Sequence, residues 1–223
     1  MTAIAERLQS RIAVVDYDMG NLHSVCKGLE KAGAIPQVTD SPTELEQADA
    51  VILPGVGAFD PAIRHLRSRD LIEPLKQVIA SGKPFLGICL GLQILFESSE
   101  EGKEPGLGVV AGTVRRFHPE PGITIPHMGW NQLELTQPES PLWQQLPAQP
   151  WVYFVHSYYV DPIDPQLRAA TITHGSQTVT AAIARDNLMA VQFHPEKSST
   201  AGLQILSNFV GLVNSHQPLA VTT

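Results

Sequence analysis

Residues 84–97 read PFLGICLGLQILFE, and this stretch determines how the rest of the chain is interpreted. The apolar run before Cys89 predicts a buried strand, and Leu90–Glu97 predicts a helix. Gly87 and Gly91 flank the cysteine. Such small neighbours permit the sharp strand-to-helix turn of a nucleophile elbow, with a thiol where hydrolases carry serine. The stretch therefore predicts an α/β sheet that presents Cys89 at its carboxyl edge.

The surroundings of Cys89 favour chemistry over packing. A helix start places partial positive charge near the sulfur, which favours the thiolate. The amide of Leu90 has no acceptor within its own helix, so it is a candidate oxyanion donor. A lone cysteine is otherwise most often a buried, inert residue, and we interpret Cys26 in this way. Two cysteines are too few for a disulfide framework or a cysteine zinc site.

Strands and helices alternate through the first half of the chain, which predicts a doubly wound, mostly parallel α/β sheet flanked by helices. The strands are expected at Ile12–Asp16, Ile35–Val38, Ala50–Leu53 and Pro84–Ile88, and the helices at Leu22–Ala32, Phe59–Arg67 and Leu71–Ser81. After Gly102 the pattern becomes strand-rich, with strands expected at Val109–Phe117, Trp130–Leu135, Trp151–Val160, Ala169–Thr173, Val179–Ala184 and Met189–Phe193. A last helix is expected near Thr200–Val213.

The bulk composition fits one large domain. The chain has 223 residues, 43% of them apolar, and we expect an N-terminal extension at 1–10, a domain at 11–214 and a loose tail at 215–223. A net charge of −7 disfavours a nucleic-acid or anionic-membrane surface. We find no apolar run long enough to span a bilayer and no signal-peptide pattern, so the cytoplasm is the expected compartment.

A histidine and a carboxylate follow the last predicted strand, in Phe-His-Pro-Glu at 193–196. Residues two apart in extended chain point to the same side, and Pro195 favours extended backbone at His194. Glu196 can then orient the imidazole while His194 takes the thiol proton. The alternative is an ordinary surface pair. The same tetrapeptide occurs at 117–120, but it runs into Pro-Gly, so we interpret His118 as a surface residue.

Pro-Gly-Val-Gly at 54–57 ends a buried strand on the same edge of the sheet as Cys89. Its two glycines permit the backbone to turn so that the amide of Val56 points into the site, although such turns are also common in ordinary loops. No phosphate-binding loop, dinucleotide fingerprint or metal-ligand spacing is present, and we expect no metal and no organic cofactor.

These motifs together resemble class I glutamine amidotransferases, a family with a Cys-His-Glu triad. The resemblance extends from Val15 to about Val213. It implies a flavodoxin-like fold, a triad of Cys89, His194 and Glu196, and hydrolysis of glutamine through a thioester on the cysteine. It also implies that the amides of Val56 and Leu90 hold the oxyanion.

Five further residues match positions that line the glutamine pocket in similar proteins: Gly57, Gln93, Glu101, Ser157 and Tyr158. Each has a plainer interpretation. Gln93 fits the polar face of a helix, Glu101 lies in an acidic patch, and Ser157 and Tyr158 could simply continue a strand.

Three more segments narrow the resemblance: DYDMGNL at 16–22, PHMGWN at 126–131 and YFVHSYY at 153–159. They are similar to glutaminase subunits of the synthases that form imidazole glycerol phosphate in histidine biosynthesis. One departure is visible, because Asp18 stands where that family usually has glycine. It would alter a loop near the partner without touching the triad.

The narrower resemblance implies a partner, a (β/α)₈ barrel cyclase subunit that receives ammonia through an internal channel. Ammonia released into water would mostly become ammonium and lose its nucleophilicity. Asn21, Met128, Trp130 and Asn131 are the interface candidates, since exposed Met and Trp suit a partner surface. The alternative for Trp130 is that it starts a core strand.

Two other functions fit the triad as well. One is a glutaminase subunit of another synthase, such as the one that feeds pyridoxal phosphate synthesis. The other is a free-standing γ-glutamyl hydrolase, which would reach full rate without a partner. The PHMGWN segment favours the histidine-biosynthetic assignment over the first alternative, and the rate without a partner distinguishes the second.

Overall fold

The computed structural model describes residues 10–216. Residues 1–9 of the predicted extension and 217–223 of the predicted tail lie outside the described residues. Ser10 is buried, and its hydroxyl donates to Asn214 Oδ1 at 2.6 Å. The last helix runs to His216, two residues into the predicted tail. No helix in the described part is both long and apolar enough to cross a bilayer.

Five parallel strands form one half of the main sheet, which confirms the doubly wound α/β prediction. Their spatial order is β2-β1-β3-β4-β13. The bounds are β1 Arg11–Val15, β2 Ile35–Thr39, β3 Ala50–Gly55, β4 Phe85–Cys89 and β13 Leu188–Val191. The last of these enters from near the end of the chain, so it brings distant residues beside β4.

Helices cover both faces of this sheet: α1 Leu22–Lys31, α2 Pro42–Gln47, α3 Phe59–Ser68, α4 Ile72–Ala80, the short α5 Leu90–Gln93 and α6 Ser199–His216. Alternate residues of β1 enter different cores. Ile12 and Val14 pack with α1 and α6, whereas Ala13 and Val15 pack with α2, α3 and α4. A strand buried on both faces explains the continuous apolar runs of the sequence.

The second half is antiparallel in the main, as its strand-rich pattern predicts. The main sheet continues through β12 (Gln177–Arg185), β10 (Tyr158–Pro162), β6 (Val110–Arg116) and β5 (Phe96–Ser99), and β11 (Arg168–His174) and β8 (Glu134–Leu135) branch from it. A separate ribbon pairs β7 (His127–Gln132) with β9 (Trp151–His156). This ribbon passes beside the carboxyl edge of β4, so it contributes to the same site.

Three predicted elements differ from the structure. The helix predicted over 90–97 ends at Gln93, and Phe96–Ser99 is a strand. Carbonyl groups of residues 94–97 accept hydrogen bonds from the chain at 106–110 instead of from a helix. Gly106 makes this approach possible, because a Cβ there would lie 2.0 Å from the Phe96 carbonyl oxygen. The strands predicted at 130–135 and 151–160 are each two strands.

Candidate active site

The elbow at Cys89 has the geometry expected from its sequence. Cys89 ends β4 with φ 56° and ψ −110°, a region that non-glycine residues rarely occupy. Its rung partner on β3 is Gly55. A Cβ on Gly91 would lie 1.8 Å from the Leu53 carbonyl oxygen, so only glycine allows α5 to start so close to the sheet. The strained turn leaves the thiol 7% exposed at the sheet edge.

His194 and Glu196 form a buried pair beside this elbow. Their Nδ1 and Oε1 atoms are 2.8 Å apart, and their side chains are 2% and 1% exposed. The extended backbone expected over 194–196 is wrong, because Pro195–Lys197 is a 3-10 turn. The contact forms because His194 is itself extended and the turn folds Glu196 back toward the ring. The backbone of His194 is also held in place, because its amide donates to the Tyr153 carbonyl at 3.0 Å.

The imidazole of His194 is held in its charged form. Burial lowers the pKa of His194, but the nearby charges of Cys89 and Glu196 and the hydrogen bond to Glu196 outweigh it and raise the pKa to about 9. Nε2 has no protein partner at ordinary hydrogen-bond geometry, and neither has the buried Glu196 Oε2. His194 and Cys89 both line the same cavity, which places the ring where it can exchange a proton with the sulfur or with a bound molecule.

A cavity of about 320 Å³ opens in front of the thiol, within the usual range for small-molecule sites. All five predicted glutamine-binding residues lie on its wall, together with the predicted oxyanion residues. The lining is Val56, Gly57, Cys89, Leu90, Gln93, Glu101, Pro126, Val155, His156, Ser157, Tyr158 and His194. The fold therefore brings together residues from six separate parts of the sequence.

Two of the pocket residues already have partners in the protein. The buried amide of Gln93 donates to the Tyr158 carbonyl and to Gln192 Oε1, both at 3.1 Å. Glu101 Oε2 accepts the amide of Phe59 at 2.9 Å. Gln192 itself was not predicted, although it is fully buried and its amide lies 3.7 Å from the sulfur. An amide inside an otherwise apolar strand was the available sequence signal.

The amide of Val56 does not point into the cavity in this structure. It donates to the carbonyl of Met19 at 2.6 Å. The sequence permits an inward orientation, but the outward one is present here because the 16–20 loop offers this amide a backbone acceptor. Gly57, with φ 99°, supplies the conformational freedom that a turn of this peptide would need.

The Phe-His-Pro-Glu copy at 117–120 has a structural role, because its carboxylate is fully engaged with the turn between β11 and β12. His118 is exposed, as predicted. Glu120 accepts hydrogen bonds from the amide and hydroxyl of Ser176 and from the side chain of Gln177, at 2.7–2.9 Å. This carboxylate fixes a β-hairpin and has no contact with a catalytic group.

The predicted interface residues do not share one environment. Met128 and Trp130 on β7 are 61% and 47% exposed, which contradicts the alternative that Trp130 starts a core strand. Asn131 also lies on β7, and its amide donates to the Thr173 carbonyl at 3.0 Å. Asn21 is half-buried and caps α1, where its Oδ1 accepts the amide of Ser24.

Two buried histidines were not predicted: His156 lies in the cavity wall, and His127 contacts it. His156 Nδ1 lies 2.8 Å from the Tyr158 carbonyl, so Nδ1 carries the proton and Nε2 accepts from His127 Nδ1 at 3.1 Å. Burial lowers the pKa of His127 to about 4 and that of His156 to about 3. Their neutral rings connect exposed strand β7 to the pocket wall. The sequence signal for them was their position: His127 lies in the segment predicted to face the partner, and His156 lies next to the predicted glutamine-binding residues Ser157 and Tyr158.

The family model for "Glutamine amidotransferase class-I" matches residues 13–212, nearly the whole described part of the chain. The chain belongs to the class I glutamine amidotransferase family. This confirms the resemblance drawn from the Gly-Ile-Cys-Leu-Gly and Phe-His-Pro-Glu motifs, and with it the expectation of a glutamine amidotransferase activity.

Relatives in this family support the narrower resemblance too. The "Imidazole glycerol phosphate synthase subunit HisH" of Nostoc punctiforme is 78% identical over 207 residues, covering 93% of this chain and 98% of the relative. The protein of the same name from Trichormus variabilis is 78% identical over 202 residues, covering 91% and 96%. Among solved structures, PurLQS from Thermotoga maritima superposes with a TM-score of 0.72 at 19% identity, covering 92% and 99%, which supports the fold alone.

Proposed function

We propose that this chain is the glutaminase subunit of an imidazole glycerol phosphate synthase, acting in histidine biosynthesis in the cytoplasm. The observation that carries the proposal is that Cys89 and His194 line one cavity, with Glu196 paired to the His194 ring, in a chain 78% identical to subunits of that name. The substrate is glutamine, and the products are glutamate and ammonia.

The chemistry follows from the order of the three side chains. Cys89 attacks the side-chain amide carbon of glutamine as a thiolate, and His194 holds the proton released from the thiol. His194 gives that proton to the departing nitrogen as the C–N bond breaks, which leaves a γ-glutamyl thioester and ammonia. A water molecule, deprotonated by the same ring, then attacks the thioester and releases glutamate and the thiol. Glu196 keeps the ring in the correct tautomer and stabilises its charge.

The tetrahedral intermediates place negative charge on the former amide oxygen. The Leu90 amide is available at the start of α5, and the Val56 amide becomes available once its peptide turns away from Met19. One oxyanion donor is commonly worth roughly 100- to 1,000-fold in kcat. The resting chain, with one donor turned away, is therefore a slow glutaminase.

The partner in this proposal is a (β/α)₈ barrel cyclase that receives the ammonia. Exposed Met128 and Trp130 lie on the ribbon that borders the cavity, and they form an apolar contact surface next to the site of ammonia release. Docking there would shield the ammonia from bulk water. Docking would also place the cyclase against β7. This strand pairs with β9, which carries His156 in the pocket wall.

The deciding experiment measures glutamine hydrolysis by the purified chain alone, with a cyclase subunit, and with that subunit and its nucleotide substrate. We expect a low rate alone and a rise of roughly 100-fold or more in the loaded complex. Binding only to a pyridoxal-phosphate synthase subunit would assign the chain to that pathway. Full activity without any partner would identify a free-standing γ-glutamyl hydrolase and refute the gating.

A further inference from the structure

We propose that Asp18, together with Arg69 and His65, holds the oxyanion turn in its resting orientation, so that these three act as positioning residues for Val56. The inference deepens the proposed function and rests on it for its catalytic consequence. Its structural part concerns one backbone hydrogen bond, from the Val56 amide to the Met19 carbonyl, and can be tested without any assay of glutamine.

The loop between β1 and α1 contacts the oxyanion turn at two points. The hydroxyl of buried Tyr17 donates to the Pro54 carbonyl at 2.7 Å, and the Met19 carbonyl accepts the amide of Val56 at 2.6 Å. A Cβ on Gly57 would lie 2.9 Å from Met19 Cε, so this side chain also packs over the turn. The position of Met19 therefore decides where the Val56 amide points.

Asp18 lies between these two contacts in the sequence. Its φ of 63° is left-handed, a conformation that aspartate tolerates better than most residues and that glycine adopts freely. The backbone amide of Asp18 donates a hydrogen bond to Asp16 Oδ1 at 3.1 Å. A glycine at this position would leave the loop without a side-chain contact, whereas aspartate adds a charged side chain.

That side chain fastens the loop to the end of α3. Asp18 Oδ2 accepts a hydrogen bond from Arg69 Nη2 and lies 3.6 Å from His65 Nδ1. Arg69 in turn contacts the His65 ring and its carbonyl oxygen, at 3.3 and 3.4 Å. Arg69 is only 26% exposed and Asp18 is 59% exposed. The three side chains form a connected network, which holds geometry better than an isolated surface pair.

The network stabilises the resting turn because Met19 directly follows the anchored residue. To present its amide to the cavity, Val56 must break the bond to Met19. A loop fixed at Asp18 keeps the Met19 carbonyl aligned with the amide, whereas a free loop lets the carbonyl drift and weakens the bond. Removal of the anchor is therefore expected to favour the inward orientation.

The test substitutions are Asp18→Asn and Arg69→Gln in the full chain. Asparagine keeps the size and the tolerance for positive φ but removes the charge. Hydrogen exchange of the Val56 amide, followed by NMR, reports the bond to Met19 directly. We expect protection of this amide to fall roughly two- to five-fold in either variant, with no further loss in the double variant, because both remove the same interaction.

The catalytic counterpart is the partner-free glutaminase rate, where kcat is expected to rise by the same factor at unchanged KM. Glu73→Gln is the matched control, since it removes an exposed ion pair with Lys76 on α4 and leaves Asp18, Arg69 and His65 unchanged. Unchanged Val56 protection in both test variants, or a loss spread evenly over all amides, overturns the inference. Reduced protection without glutamine hydrolysis in any complex supports the anchor and refutes the proposed function instead.

Discussion

Replacement of Glu196 by glutamine tests how far this carboxylate raises the pKa of His194. The pKa of about 9, compared with an ordinary 6.5, corresponds to about 3 kcal/mol in favour of the imidazolium. Cys89 and Glu196 supply this stabilisation against burial, which alone lowers the pKa. Glutamine keeps the size of the side chain but removes its charge, so the pKa of His194 should fall by about one pH unit or more.

The rate should fall with it. An amide at 196 no longer stabilises the charged ring, and it can also select the wrong tautomer by donating to Nδ1. Loss of an orienting carboxylate of this kind is expected to reduce kcat by about 100- to 10,000-fold. The assays are an NMR titration of the His194 ring and steady-state glutamine hydrolysis in the partner complex loaded with nucleotide.

The duplicated tetrapeptide provides a matched control. Glu120→Gln makes the same chemical change in the same four-residue context, but this carboxylate only fixes the turn at 176–177. Its kcat should stay within about two-fold of wild type. A Glu196→Gln enzyme that keeps the wild-type rate and the elevated pKa of His194 would refute the reasoning, as would an equal loss in both variants.

Three other changes have defined outcomes. Cys89→Ala should abolish glutamine hydrolysis yet leave ammonia-dependent synthesis in the complex, and residual glutaminase activity would contradict the assigned nucleophile. Gly91→Ala should destabilise the fold by about 3 kcal/mol or more in urea unfolding, since its Cβ would overlap a carbonyl of β3, whereas Gly211→Ala on open helix surface should be neutral or stabilising. Because the folded-state pKa values of His127 and His156 lie below 6.5, the unfolded state binds more protons, and each should contribute a loss of about 2 kcal/mol between pH 7 and pH 5. Urea unfolding at both pH values checks this, and a slope that is not reduced by His156→Gln would count against it.

Much of the fold was accessible from the sequence because strands buried on both faces leave continuous apolar runs. The runs ending at Val15, Leu53 and Ile88 are of this kind, and each is a strand of the parallel sheet. The helix predicted over 90–97 failed for a tertiary reason. Its apolar residues satisfy a helical and an extended pattern equally, and the later chain at 106–110 decided between them through hydrogen bonds.

The sequence predicted some residues of the active site and missed others. Cys89 and His194 were found because glycine and proline around them restrict the backbone in recognisable ways. The contact between His194 and Glu196 was predicted for the wrong local reason, since a 3-10 turn brings them together. Gln192 was missed because its role comes from β13 lying beside β4, a neighbourhood that no local pattern encodes.

The hydrogen bond between Met19 and Val56 joins main-chain atoms at both ends, so ordinary point mutation cannot delete it. Apart from proline at 56, which would remove the N–H, every side chain leaves the donor and acceptor in place. Inherited variation can therefore retune the resting state only through what surrounds the two peptides. Differences in idle activity between related sequences should accordingly map to neighbouring side chains, such as those of Asp18, Arg69 and His65.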